Sequence, residues 1–337
     1  MKYYISHLRN LATFCVILLH ASSTLVKNFE KIQIETWTAA NFIDSCTRFC
    51  VPIFVMISGA LLLKSSDSLF QFLNKRMKRI IIPLLFWSII YFGWRIHWEE
   101  ISLDRISLIK YTENSIIRGA SYHLWYLYMI IGLYLFIPII KPFVQKAKKR
   151  ELEFFLGIWL LTLLLTYIPN KPYPNIELMY FSNYLGYLIL GFYLDQFFSP
   201  TSKNRWFGLF LFLIGLGITF FGTQILSLRI NNFDKTLFHY LTFNVALMSA
   251  GIFLFFKTVK AKTTPLLSLL DKNSFGIYFV HAMLLSVILN WIPYSSFEES
   301  VISAVLYILS IALLNLIISF IFIFLGSKIP ILKKVIQ

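Results

Sequence analysis

The sequence predicts an all-α, polytopic integral membrane protein of about ten transmembrane helices, with both termini on the inner side. Three observations carry that expectation. Of 337 residues, 58% are hydrophobic, and mean hydropathy is +0.70, a composition outside the soluble globular range. The apolar residues gather into ten runs of roughly bilayer-crossing length. The Lys and Arg residues fall mostly in short clusters between those runs, so the net charge of +15 is a topology signal and implies no nucleic-acid partner. Residues 1–337 read as one membrane-embedded domain, with no low-complexity tract and no clear internal repeat.

The expected spans are 5–25, 37–63, 79–98, 121–141, 153–169, 179–198, 205–226, 236–257, 273–292 and 300–326. The first is expected to stay as a helix, because no small-residue cleavage site follows it and further hydrophobic spans come after. With both termini inside, the inner segments hold 21 Lys and Arg residues and the outer segments nine, while Arg48 lies within span two. That bias favours the inside placement over its reverse. The outer connection 99–120 and the stretch "PNKPYPNIE" (169–177) fit lids or acceptor-contacting loops and fit ordinary connectors equally. Cys15, Cys46 and Cys50 lie in apolar segments without metal-ligand spacing and read as small buried side chains, so no metal site is expected.

Several polar residues sit where lipid disfavours them. In "HLRNLATFCVILLHASSTL" (7–25), Arg9 and His20 are eleven residues apart, which places them within about 20° of one helix face and about 16 Å apart along the axis. Near its end of the helix Arg9 can snorkel to the interface, whereas His20 lies near mid-membrane. Span two, "TWTAANFIDSCTRFCVPIFVMISGALLL", carries Asp44 and Arg48 at i, i+4, a spacing for an ion pair on one face. A lone mid-membrane Arg costs about 2.5–3.5 kcal/mol to insert, so both side chains should face the protein interior or a hydrated cavity.

"NKRMKRIIIP" puts Arg76 and Arg79 one turn apart beside Lys75 and Lys78. The cluster suits a positive-inside anchor, a contact for anionic lipid, or a dock for a phosphorylated cytosolic donor. "SYHLWYLYM" opens span four with His123, Trp125, Tyr126 and Tyr128, an aromatic belt or a ligand contact. "NSFGIYFVHAM" places Ser274, Tyr278 and His281 on successive turns of one flank of span nine, for helix-to-helix hydrogen bonds or a ligand.

These blocks together resemble the integral-membrane acyltransferase-3 family of bacterial O-acyltransferases, and more closely its branch containing the enterobacterial common antigen O-acetyltransferase. The resemblance runs almost end to end. It rests on Arg9-x10-His20, on "SCTRFCVPIFVMISGALLL", on Arg76-x-x-Arg79, on "YHLWYL" and on "SFGIYFVHA". One departure is Ser6, which stands where the family often has an acidic residue three positions before the helix-one Arg; the resemblance therefore does not supply Arg9 with a carboxylate partner.

What the resemblance implies is transfer of an acyl group, usually acetyl from acetyl-CoA as cosubstrate, to a hydroxyl of a cell-envelope glycan or its lipid-linked precursor. The enzyme would be a multi-pass protein of the bacterial inner membrane, in contact with membrane lipid and without a tightly bound cofactor. Arg76 and Arg79, helped by Arg9, would hold CoA phosphates. His20 would act as general base or as an acyl-carrying nucleophile, and Arg48 would stabilise an oxyanion or orient the acceptor, with Asp44 fixing Arg48. His123 and Trp125, with Tyr126 beside them, would sit nearer the outer acceptor entrance, while Tyr278 and His281 would contact substrate, His281 also supporting the core. A transporter or flippase of a lipid-linked glycan or acyl group is the alternative from another class, since it too would carry intramembrane polar residues; a non-catalytic partner in polysaccharide assembly is a third. The acceptor, the acyl group and the oligomeric state leave no motif in the sequence.

Overall fold

The computed structural model of the chain describes residues 3–98, 104–168, 181, 183–297 and 300–336, so the stretch 169–177 lies outside the described residues. The regular structure within them is helical, without a strand. Lipid offers the backbone no hydrogen-bond partner, so a crossing segment satisfies its N–H and C=O groups within itself, as a helix does.

In chain order the helices are α1 (Tyr3–Val26), α2 (Ile34–Thr47), α3 (Cys50–Leu62), α4 (Leu69–Trp98), α5 (Arg105–Arg118), α6 (Trp125–Lys146) and α7 (Lys149–Leu165). They continue as α8 (Leu185–Phe197), α9 (Ser202–Ile230), α10 (Phe243–Lys257), α11 (Pro265–Trp291), α12 (Val301–Gly326) and α13 (Pro330–Ile336). Each of the ten expected runs contains helix among the described residues. Among the described residues, eight are long and apolar enough to cross a membrane. The other two, α7 with 17 residues and α8 with 13, are shorter.

Span two departs from the expected single helix. It breaks between α2 and α3, at Arg48 and Phe49. Pro52 supplies the reason: it has no N–H to donate to the Arg48 carbonyl, and a proline is tolerated in the first turn of a new helix. The backbone ladder restarts where the Ile53 N–H donates to the Phe49 carbonyl at 3.0 Å. The connection 99–120 also differs from a plain loop. It holds α5, capped by Asp104, whose carboxylate accepts from the N–H groups of Ile106 and Ser107. Ile106, Ile109, Ile116 and Ile117 are exposed on it, a surface suited to a membrane interface.

Helix α1 sits at the centre and packs against α2, α3, α10, α11 and α12. Its Leu8, Ala12, Ile17 and Ala21 are buried. By contrast, α9 and α12 turn residues such as Phe210, Phe221, Leu306 and Leu313 outward, as lipid-facing helices do. Helix α3 crosses α8 at backbone distance. A Cβ at Gly59 would lie 1.8 Å from the Leu188 carbonyl oxygen, and one at Gly191 would lie 2.0 Å from that of Met56. Small residues permit such crossings where lipid supplies no hydrophobic drive between helices.

The crossing makes a direct prediction. Gly191→Val should cost about 3 kcal/mol or more through backbone displacement. Gly217→Ala, where an added Cβ meets nothing within 4 Å, should change stability by about 1 kcal/mol or less. Thermal unfolding of the two purified variants in detergent compares them, and equal melting temperatures would contradict the close crossing.

Candidate functional site

Two cavities enter the helical bundle from opposite ends and converge on a narrow neck beside His20. The first, of about 420 Å³, is lined by Arg9, Arg76, Arg79, Lys272, Tyr126 and Tyr278 among others. Arg76 and Arg79 are three residues apart on α4, so both reach the same cavity. Arg9 makes an ion pair with Asp271 at the start of α11. Asp271 thus supplies, from a distant part of the chain, the carboxylate that Ser6 does not provide. The Asp271 side chain is 5% exposed and that of Arg9 26%, so the pair is shielded but Arg9 still faces the cavity. Arg76 Nε is buried and has no hydrogen-bond partner among the described residues.

The neck, of about 60 Å³, is lined by His20, His123, Trp125, Tyr126, Tyr240 and Tyr278 together with apolar residues. Three histidines meet around it. The His20 ring stacks on that of His281, with centroids 5.4 Å apart. His123 meets the His281 ring edge-on at 5.2 Å. His281 Nδ1 lies 2.7 Å from the Tyr278 carbonyl oxygen. A carbonyl only accepts, so Nδ1 carries the proton and the neutral ring keeps its lone pair on Nε2; that Nε2 is buried and without a partner among the described residues. The Tyr278 hydroxyl donates to the His123 carbonyl at 2.6 Å, and Asn315 Nδ2 donates to the His281 carbonyl at 2.9 Å. These bonds tie α11 to α12 and to the turn before α6, fixing the rings that surround His20.

The second cavity, of about 490 Å³, holds His20, Asp44, Arg48, Lys27, Lys235 and His239 in its lining. Arg48 pairs with Asp44, as the i, i+4 spacing predicts. Its guanidinium lies over the Phe238 ring, 3.8 Å from the centroid, and Nη1 donates to the Phe238 carbonyl at 3.3 Å. Asp44 also accepts from Ser22 Oγ of α1 at 3.2 Å. The break after Arg48 lets α2 end beside the cavity, which Arg48 lines with its side chain 12% exposed.

The expected residues therefore gather in two groups joined at His20. Arg9, Arg76 and Arg79 share the first cavity, with Tyr126 and Tyr278 leading from it into the neck. Asp44 and Arg48 share the second cavity with His20. The place expected for His123 needs correction. It is only 3% exposed and packs among Tyr91, Tyr278 and His281. His123 therefore lies in the wall of the neck and not at the outer entrance, whereas the neighbouring Tyr122 lines both the neck and the second cavity, edge-on to His20 at 5.0 Å. Trp125 stacks on Tyr240 at 5.9 Å, half-buried in the neck. His281 touches neither cavity and stands behind His20.

Sequence reading passed over Asp271, Tyr122 and Tyr240. Asp271 carried a signal, as a carboxylate beside Lys272 at the mouth of a span. Tyr240 carried none, because aromatic residues pervade the chain. Among the described residues no group of three His, Cys, Asp or Glu side chains is arranged to hold a metal ion. Cys15, Cys46 and Cys50 are free.

Comparison with known proteins gives one match. A family model described as an acyltransferase domain matches residues 2–324. No curated protein and no solved structure matches the chain.

The Asp44 and Arg48 pair, with side chains 0% and 12% exposed, yields a stability prediction. Asp44→Ala should destabilise the protein by about 3–5 kcal/mol, because it strands a buried guanidinium. Adding Arg48→Met should recover much of that loss. Unfolding of the single and double variants reads the coupling, and additive losses would contradict it.

Proposed function

The chain belongs to the acyltransferase-3 family, matched over residues 2–324, and from that premise we propose that it is a membrane O-acetyltransferase of the bacterial inner membrane. It moves an acetyl group from cytosolic acetyl-CoA to a hydroxyl of a cell-envelope glycan or its lipid-linked precursor. With both termini inside, the Arg76 end lies at the cytosol and the Arg48 end outside, a placement that the positive-inside bias supports. The observation that carries the reading is that two cavities share lining residues with one narrow neck, the first through Tyr126 and Tyr278 and the second through His20, Tyr122 and Tyr240.

Each cavity suits one substrate. The Arg9, Arg76 and Arg79 cluster offers forked, charge-assisted bonds to the phosphates of CoA. The pantetheine arm passes between Tyr126 and Tyr278 and brings the thioester to His20. The acceptor hydroxyl arrives through the second cavity. His20 takes its proton as the oxygen attacks the thioester carbon, the C–S bond breaks, and the departing CoA sulfur takes up that proton. In an acyl-His route the His20 nitrogen attacks the thioester carbon first, the C–S bond breaks and the CoA sulfur leaves with the imidazole's N–H proton; the acceptor oxygen then takes the acetyl group as the N–C bond breaks, and its proton returns to the imidazole. Arg48, held by Asp44, orients the acceptor or stabilises the oxyanion. Aromatic faces at Trp125 and Tyr240 line the passage, and His281 backs the His20 ring.

The transporter reading fits less well. A neck of about 60 Å³ suits a thin pantetheine chain better than a passing glycan. Likeness to the enterobacterial common antigen branch makes an envelope polysaccharide the acceptor to try first.

Purified parent and variants, supplied with radiolabelled acetyl-CoA and envelope glycan, test the proposal. His20→Ala should lower label transfer by about 10²–10⁴-fold while acetyl-CoA still binds. Arg76→Ala and Arg79→Ala should each weaken acetyl-CoA binding by about tenfold or more. A folded, fully active His20→Ala protein would remove His20 from the chemistry, and unchanged donor affinity in both arginine variants would remove the phosphate dock.

A further inference from the structure

We infer that the acceptor is anionic: the cavity at the Arg48 end recognises a glycan that carries a carboxylate or a phosphate near the hydroxyl to be acylated. The inference rests on the acyl-transfer reading and adds the chemical class of the acceptor to it.

The charge of the lining carries it. Lys27, Arg48 and Lys235 face this cavity together with His239, and Asp44 is the one carboxylate among the lining residues. Asp44 is fully buried and already engaged by Arg48 and Ser22, so it offers a substrate little negative charge. Lys27 and Lys235 are exposed and make no ion pair among the described residues. They come from separate elements, the end of α1 and the turn before α10, yet converge on one mouth. Arg48 Nε is buried without a partner, a further donor beside the cavity. Asp234, next to Lys235, is outside the lining, and its carboxylate accepts from the Thr236 N–H at 2.7 Å.

An anchoring role alone explains this convergence poorly. The segments assigned to the outer side hold nine of the 31 Lys and Arg residues, and two of those nine meet at the cavity that reaches His20. A concave, low-dielectric wall focuses such charge and draws an oppositely charged ligand in. Tyr122, Phe238 and Tyr240 line the same cavity and offer sugar rings a packing face. The negative charge has two sources, a uronic acid within the glycan or the diphosphate of a polyprenyl carrier.

Three acceptors separate these sources: a glucuronic-acid-containing oligosaccharide, the same oligosaccharide with its carboxyl reduced to a hydroxymethyl, and that neutral oligosaccharide on a polyprenyl diphosphate. The full-length protein in lipid nanodiscs receives each with radiolabelled acetyl-CoA. At least one charged acceptor should show a KM about tenfold below that of the free neutral one, and added salt should narrow the gap. The Lys27→Gln/Lys235→Gln protein should lose most of that advantage with the acetyl-CoA KM unmoved, a result that loss of folding does not produce. Equal KM values for neutral and charged acceptors would overturn this inference alone, as would an advantage untouched by the double substitution. Failure of every acceptor to stimulate CoA release would overturn the acyl-transfer reading and this inference with it.

Discussion

A charge placed inside a low-dielectric slab must be paired or hydrated, and the rest of this structure is arranged around that constraint. Three carboxylates with side chains no more than 5% exposed meet it: Asp44 with Arg48, Asp271 with Arg9 and Asp195 with Lys64. Each joins something beyond its own turn of helix. Asp271 ties α11 to the start of α1. Asp44 holds Arg48 at the break between α2 and α3 and accepts from Ser22 of α1. Asp195, on α8, takes the Tyr4 hydroxyl as well as Lys64, and Lys257 of α10 donates to the carbonyls of Leu194 and Asp195. Helix α1 takes part in all three networks, which is why the helix bearing His20 lies at the centre of the bundle.

The same pairing places Arg48 and Asp44, joined to each other, in the lining of the cavity that His20 shares. Around His20 stand aromatic rings, those of His281 and Tyr122 in direct contact. Such a setting suits the proposed proton transfer, in which a neutral imidazole accepts a proton and gives it up within one turnover. The bonds that hold the aromatic shell go mostly to backbone carbonyls, as Tyr278 to His123 and Tyr91 to Phe279 show. A shell fixed to backbone holds its geometry while a substrate enters from either side.

Much of this was legible in the sequence. Lipid forbids unpaired backbone over long stretches, so apolar runs translate almost directly into helices. The i, i+4 spacing of Asp44 and Arg48 is local, and their pairing followed from it. What escaped was long-range or short-range detail. The partner of Arg9 is 262 residues away, and no local pattern connects them. The break at Arg48 depends on one proline four residues later, a small signal within a strongly apolar run. The burial of His123 and the exposure of Tyr122 turn on which of two adjacent side chains the turn before α6 points inward.

In the proposed reaction donor and acceptor meet at His20 from opposite ends. The most direct measurement is an experimental structure of the protein with an acetyl-CoA analogue bearing a methylene in place of the thioester sulfur. CoA phosphates should lie against Arg76 and Arg79, the pantetheine between Tyr126 and Tyr278, and the acetyl carbonyl beside the His20 ring. Phosphates bound away from the two arginines, or an acetyl group that does not reach the neck, would contradict it.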